Sequence, residues 1–119
     1  MANAEQFIEA VKNGYSFKGE HVKIGVGVLD GQVVAGADVS LPFKTMNRHG
    51  LIAGATGTGK TKTLQMLSEC LSDNSVPVLV MDIKGDFSGI AKEGEEKSFI
   101  TERHAKINIP YKISSFPVE

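Results

Sequence analysis

Apolar residues recur along this chain in several rhythms, and each predicts a different element. Over residues 2–13, Ala4, Phe7, Ile8 and Val11 fall at helical spacing. Asn3 is placed to cap that helix, and Gly14 to end it in a left-handed conformation. The apolar stripe suits packing against a following sheet, or docking on a partner chain. Residues 21–41 change period. Val22, Ile24, Val26 and Val28 alternate with Lys23, Gly25 and Gly27, Asp30-Gly31 is a hairpin turn signal, and Val33-Val34 begins the return. A β-hairpin is expected, as part of a small antiparallel barrel. Gly25-x-Gly27 lacks the third glycine of a phosphate loop and sits inside a strand pattern, so Gly25, Gly27 and Gly36 read as bends or bulges.

Pro42 and Gly50 punctuate the next stretch as a connection, in which Arg48 is a solvated loop residue or an approach to a ligand from its edge. Leu51-Ile52-Ala53 is then a short apolar run, as a buried strand would be. Over residues 62–71, Leu64, Leu67, Cys70 and Leu71 return to helical spacing. Asp73-Asn74-Ser75 reads as a turn. Val76-Pro77-Val78-Leu79-Val80-Met81 is unbroken and apolar, which suits a parallel strand covered on both faces. Beyond a polar stretch at 92–97, residues 98–104 form a short helix with Phe99, Ile100 and Arg103 on one side. Ala105, Ile107 and Ile109 then alternate as a strand stopped by Pro110.

Strand, glycines and helix together frame the candidate chemistry. Gly54-Ala55-Thr56-Gly57-Thr58-Gly59-Lys60-Thr61 reads G-x-x-x-x-G-K-T, the P-loop or Walker A signature. Glycines let the main chain curl with its N–H groups inward, and the following helix adds its positive end. All eight residues, Gly54, Ala55, Thr56, Gly57, Thr58, Gly59, Lys60 and Thr61, are therefore expected to bind a nucleoside triphosphate, which the resemblance given below makes ATP. Lys60 would supply charge to the β and γ phosphates and to the transition state, and the Thr61 hydroxyl would hold Mg²⁺. The bland alternative is a glycine-rich turn without a ligand.

Composition narrows the setting. The chain has 119 residues, 41% hydrophobic and 23% charged, with a net charge of −1, so no basic nucleic-acid surface is visible in its balance. A single cysteine, Cys70, excludes an internal disulfide; on the apolar face of its helix it reads as a buried thiol, with a reactive thiol as the alternative. No leader or apolar span of membrane length is apparent, and a reducing, cytoplasmic setting is the default, without membrane partners. His21, His49 and His104 lack metal-ligand spacing.

Asp82 follows the apolar run 76–81, at the carboxyl end of the expected strand, where open α/β sheets bind ligands. It reads either as part of the nucleotide site or as the cap of its own turn. As a base or metal partner, with Asp86 nearby, it would suit a small-molecule P-loop kinase. A nucleotide-binding module without turnover is a third reading.

Arg48-His49-Gly50-Leu51-Ile52-Ala53-Gly54 running into the glycine loop, together with Met81-Asp82-Ile83-Lys84-Gly85-Asp86-Phe87-Ser88-Gly89-Ile90, resembles the HerA/FtsK superfamily of ATPases, and within it the bacterial HerA-helicase-like ATPases. The likeness extends over roughly residues 20–118, counting the Asp30-Gly31 hairpin and the Leu41-Pro42 connection. Related DNA-pumping ATPases carry Asp-Pro-Lys after the corresponding strand; here Ile83 replaces the proline. The resemblance implies an α/β fold: a partial RecA-like P-loop sheet with parallel strands, preceded by a β-hairpin or barrel-like segment. It implies an ATP-driven DNA translocase or helicase-like motor assembled as a homo-oligomeric ring. Residues 54–61 carry over as the nucleotide loop, and Asp82 and Lys84 as a segment near the active site. The expected division is 1–46, helix plus hairpin, and 47–119, the first part of an ATPase domain that stops before its Walker B acid and arginine finger. On this reading the chain is an N-terminal fragment of a longer protein, inactive or very slow by itself.

Overall fold

A computed structural model describes residues 3–118. The fold is α/β: among the described residues there are three α-helices, one two-stranded antiparallel sheet and two short 3-10 turns. The chain separates into two compact units. One comprises Met1–His49 with Glu96–Tyr111, the other Gly50–Glu95 with Lys112–Glu119.

In the first unit, α1 spans Ala4–Tyr15, and the Asn3 side chain caps it by accepting from the Glu5 N–H at 2.9 Å. The expected start at Ala2 lies outside the described residues. Gly14 does not end the helix. It keeps a helical backbone, and the last bond runs from Ser16 N–H to the Lys12 carbonyl. Glycine permits a left-handed stop but does not impose one.

Strand β1, His21–Leu29, pairs with β2, Gln32–Pro42, across the Asp30-Gly31 turn. Both turn residues have positive φ, 49° and 75°, the twist that a two-residue hairpin loop needs. The pairing is broken between Lys23 and Gly25 and again between Val26 and Val28. Gly36, φ 86°, lies in the β2 residues opposite the second break. At Gly27 a Cβ would stand 2.8 Å from the Phe7 ring of α1 and 2.9 Å from the Cβ of Ala37, which is fully buried. The helix therefore reaches the sheet through a gap that only glycine leaves. Two strands form here, and no barrel closes among the described residues.

Helix α3 spans Ser98–Ile107, three residues past its expected end. Asn108 ends it in the left-handed conformation, φ 53°, while Asn108 N–H and Ile109 N–H bond back to the carbonyls of Ala105 and His104. The expected strand at 105–109 is absent, because the alternation of Ala105, Ile107 and Ile109 also fits a helix end followed by a turn. Ile100, His104 and Ile107 form the covered side, one helical repeat apart, whereas Phe99 and Arg103 are exposed. The Lys23 ammonium joins the elements, 2.8 Å from the Asp38 carboxylate and 3.5 Å from the Asn108 carbonyl.

In the second unit, α2 spans Lys60–Asp73 and closes with Asn74, whose side-chain amide donates to the Cys70 carbonyl at 2.8 Å. The turn at 73–75 follows as expected, with Ser75 at φ 61°. Residues 51–53 and 76–81 are not paired as strands, and Leu51, Leu79 and Met81 stand 89–94% exposed. The described residues thus hold no parallel sheet. A strand buried on both faces needs neighbours on each edge to satisfy its backbone, and none is paired here.

Candidate functional site

The 54–61 loop is shaped by its glycines and by one lysine. Gly57 and Gly59 take positive φ, 78° and 97°, conformations that side chains rarely adopt. The Ala55 carbonyl closes the loop by accepting from the Thr58 hydroxyl at 2.6 Å and the Thr58 N–H at 3.3 Å. The Lys60 ammonium folds back over this turn and donates to the carbonyls of Gly54, 2.8 Å, and Ala55, 3.0 Å. Its positive charge is thereby held against the loop.

Behind the loop lies the N-terminus of α2. The first backbone bond of the helix runs from Thr63 N–H to the Gly59 carbonyl, 2.9 Å. Gly59 offers no capping side chain, and no acidic residue lies in the first turn. The N–H groups of Lys60, Thr61 and Lys62 precede that bond and have no partner within the helix. Thr61 is exposed. Backbone donors, an uncompensated helix end and a lysine on one short loop can recognise an anion with several oxygens.

Asp82 is a second organised point. Its carboxylate accepts from Gly85 N–H at 3.0 Å and from Phe87 N–H at 2.8 Å, with Gly85 at φ 75°. Phe87 is the one large apolar side chain buried among the described residues. Gln65, on α2, donates from Nε2 to the Asp86 carbonyl at 3.2 Å. The 82–87 turn is thus tied to α2 five residues beyond Lys60, about 7–8 Å along the helix axis. Lys84 and Asp86 point no described hydrogen bond at the loop and are exposed.

The apolar face expected on α2 is only partly covered. Leu64 is exposed, and the buried position is Ser68, whose hydroxyl donates to the Leu64 carbonyl at 2.9 Å. Cys70 is half-buried, not a core residue, with its sulfur 3.8 Å from that of Met66. Burial pushes its thiol above the ordinary value, and Asp73 and Glu69 push it further, which disfavours the reactive thiolate. Arg48 is exposed in the first unit. The histidines are occupied locally where their bonds are described: His21 Nδ1 lies 2.8 Å from the Gly19 carbonyl, and His104 Nδ1 3.0 Å from that of Ile109, with its ring 4.9 Å from Tyr111. Among the described residues no group of three or more His, Cys, Asp or Glu could hold a metal ion. No described helix is long and apolar enough to cross a membrane.

Sequence reasoning missed the Thr58 hydroxyl and Gln65 as parts of this arrangement. The first had a signal, a threonine three residues after a carbonyl in a tight turn. The second had none, since its partner is a backbone carbonyl 21 residues away.

Comparison with known proteins bears on the whole arrangement. Residues 29–119 match the family described as Helicase HerA-like C-terminal. Over 79 residues the chain is 35% identical to the DNA double-strand break repair helicase HerA of Saccharolobus solfataricus, a span covering 66% of this chain. That span is 15% of the length of this relative. No solved structure matches. The family match takes in β2, the glycine loop, α2 and α3, well over half of the residues, and so this chain belongs to the HerA-like helicase C-terminal family.

Proposed function

We propose that the chain is the ATP-binding portion of a HerA-type ATPase, with the 54–61 loop as its nucleotide cradle. The observation that carries this reading is the Lys60 ammonium held at the loop carbonyls in front of the uncapped start of α2. Lys60 would neutralise the β and γ phosphates, the N–H groups of the loop and first turn would bond their oxygens, and the Thr61 hydroxyl would hold Mg²⁺. The exposed apolar runs 51–53 and 76–81 fit the strands of a parallel RecA-like sheet within the parent protein. That parent would be a homo-oligomeric, ATP-driven motor on DNA, a role consistent with the helicase named above. Residues 1–46 would then precede the ATPase segment 47–119. A kinase reading asks for Asp82 as a free base, and its bonds to Gly85 and Phe87 speak for a structural use instead.

Calorimetric titration with ATP and Mg²⁺ tests this. Lys60→Ala removes a charge-assisted contact and should weaken binding by about tenfold to a hundredfold. Equal affinity in the wild type and a folded Lys60→Ala variant would overturn the proposal.

A further inference from the structure

We propose that Thr58 is a positioning residue for the nucleotide, acting by releasing Lys60 from the loop. The inference rests on the nucleotide-binding reading above and goes beyond it, because that reading uses only the backbone of Thr58.

In this structure the Lys60 ammonium is committed to two carbonyls, those of Gly54 and Ala55. To meet a phosphate it must loosen at least part of that commitment, and a carbonyl left without a donor in a phosphate-filled loop is unfavourable. The Ala55 carbonyl is insured against this. It already holds the Thr58 hydroxyl at 2.6 Å, shorter than its 3.0 Å contact with Lys60, and the Thr58 N–H at 3.3 Å. When the ammonium moves away, the hydroxyl stays. Thr58 therefore lowers the cost of transferring the lysine from loop to phosphate.

The space around the hydroxyl agrees with this use. A Cβ at Gly54 would stand 2.5 Å from Thr58 Oγ1, too close for both to remain in place, but 3.5 Å from the Thr58 Cβ, an ordinary contact. Gly54 has no positive φ to require glycine. Its smallness is what admits the Thr58 hydroxyl to the Ala55 carbonyl.

The test is Mg²⁺-ATP titration of the full chain as wild type, Thr58→Val, Thr58→Ser, Lys60→Ala and Lys60→Ala/Thr58→Val, with Thr58→Ala as a second truncation should the valine variant fold poorly by circular dichroism. Thr58→Val should weaken binding by about threefold to tenfold. Thr58→Ser restores the hydroxyl and should restore the affinity. With Lys60 already replaced there is no ammonium to release, so adding Thr58→Val should change the remaining affinity by less than about twofold. A residue that merely stiffened the loop would weaken both backgrounds alike, and that result would overturn the inference. So would unchanged affinity in both Thr58→Val and Thr58→Ala while Lys60→Ala is impaired, which would leave the nucleotide reading standing. Equal binding by wild type and Lys60→Ala would instead overturn both.

Discussion

Asp82 shows how much of a residue's role depends on its partners. Its carboxylate is engaged by two backbone N–H groups that close the 82–87 turn. Asp82→Asn keeps the shape but removes the charge and turns one acceptor into a donor facing an N–H. Amide exchange at Gly85 and Phe87 should accelerate by about tenfold, the loss of roughly one charge-assisted bond. Affinity for Mg²⁺-ATP should stay within about threefold of wild type, because no described bond links this carboxylate to the 54–61 loop. A collapse of nucleotide affinity in a folded variant would place Asp82 in the site itself. Gly27 makes a similar point through space. Gly27→Ala would press a methyl against the Phe7 ring and the Ala37 Cβ at under 3 Å. Because Ala37 is fully buried on β2, the sheet must shift, and denaturant unfolding should show a loss of about 1–3 kcal/mol. Gly25→Ala meets nothing within 4 Å and should change stability by less than about 0.5 kcal/mol.

At the scale of one element, α2 carries a pH dependence. Burial raises the Glu69 carboxyl above its ordinary value, Asp73 raises it further, and Lys62 opposes them. A raised acid binds more protons in the folded chain than in the unfolded one, so its contribution to stability falls as pH rises from the unfolded value through the folded one. Asp73 lies one turn along the same helix, where like charges repel. Glu69→Gln removes the penalty. It should raise the melting temperature at pH 7 by about 1–3 °C, a small effect because the group is only half-buried and still screened by water. Below about pH 4 both states of the wild type are protonated, and the two proteins should melt together. A constant difference across the range would mean that the substitution acts through packing.

Across the whole molecule, the two segments expected as parallel strands are apolar yet uncovered, with Leu79 and Met81 more than 90% exposed. Exposed apolar surface of this kind binds hydrophobic dyes. Anilinonaphthalene sulfonate should therefore fluoresce strongly with this chain, and Leu79→Ser/Met81→Ser should reduce the signal. An unchanged signal would assign the dye to other surface, such as the open recess of about 520 Å³ lined by Phe17, Pro42 and Phe43 in the first unit.

Local chemistry was legible from the sequence. The Asn3 cap, the Asp30-Gly31 turn, the bulged glycine strand and the helix after Lys60 each depend on neighbours within a few residues, and all four formed. The resemblance built on Arg48 through Thr61 and Met81 through Ile90 likewise led to the family that the comparison establishes. Where period alone had to decide, it misled. Residues 105–109 alternate like a strand, but Ala105 to Ile107 complete α3 because Asn108 supplies a left-handed end. The apolar runs 51–53 and 76–81 specify burial, yet a strand exists only when a second backbone takes its hydrogen bonds, and that depends on what lies beside it. Tertiary structure alone decided that Gly27 must be small and that Gln65 reaches the Asp86 carbonyl. Each is a meeting of atoms in space, and a residue's identity specifies what it can bond, not which partner the fold will bring to it.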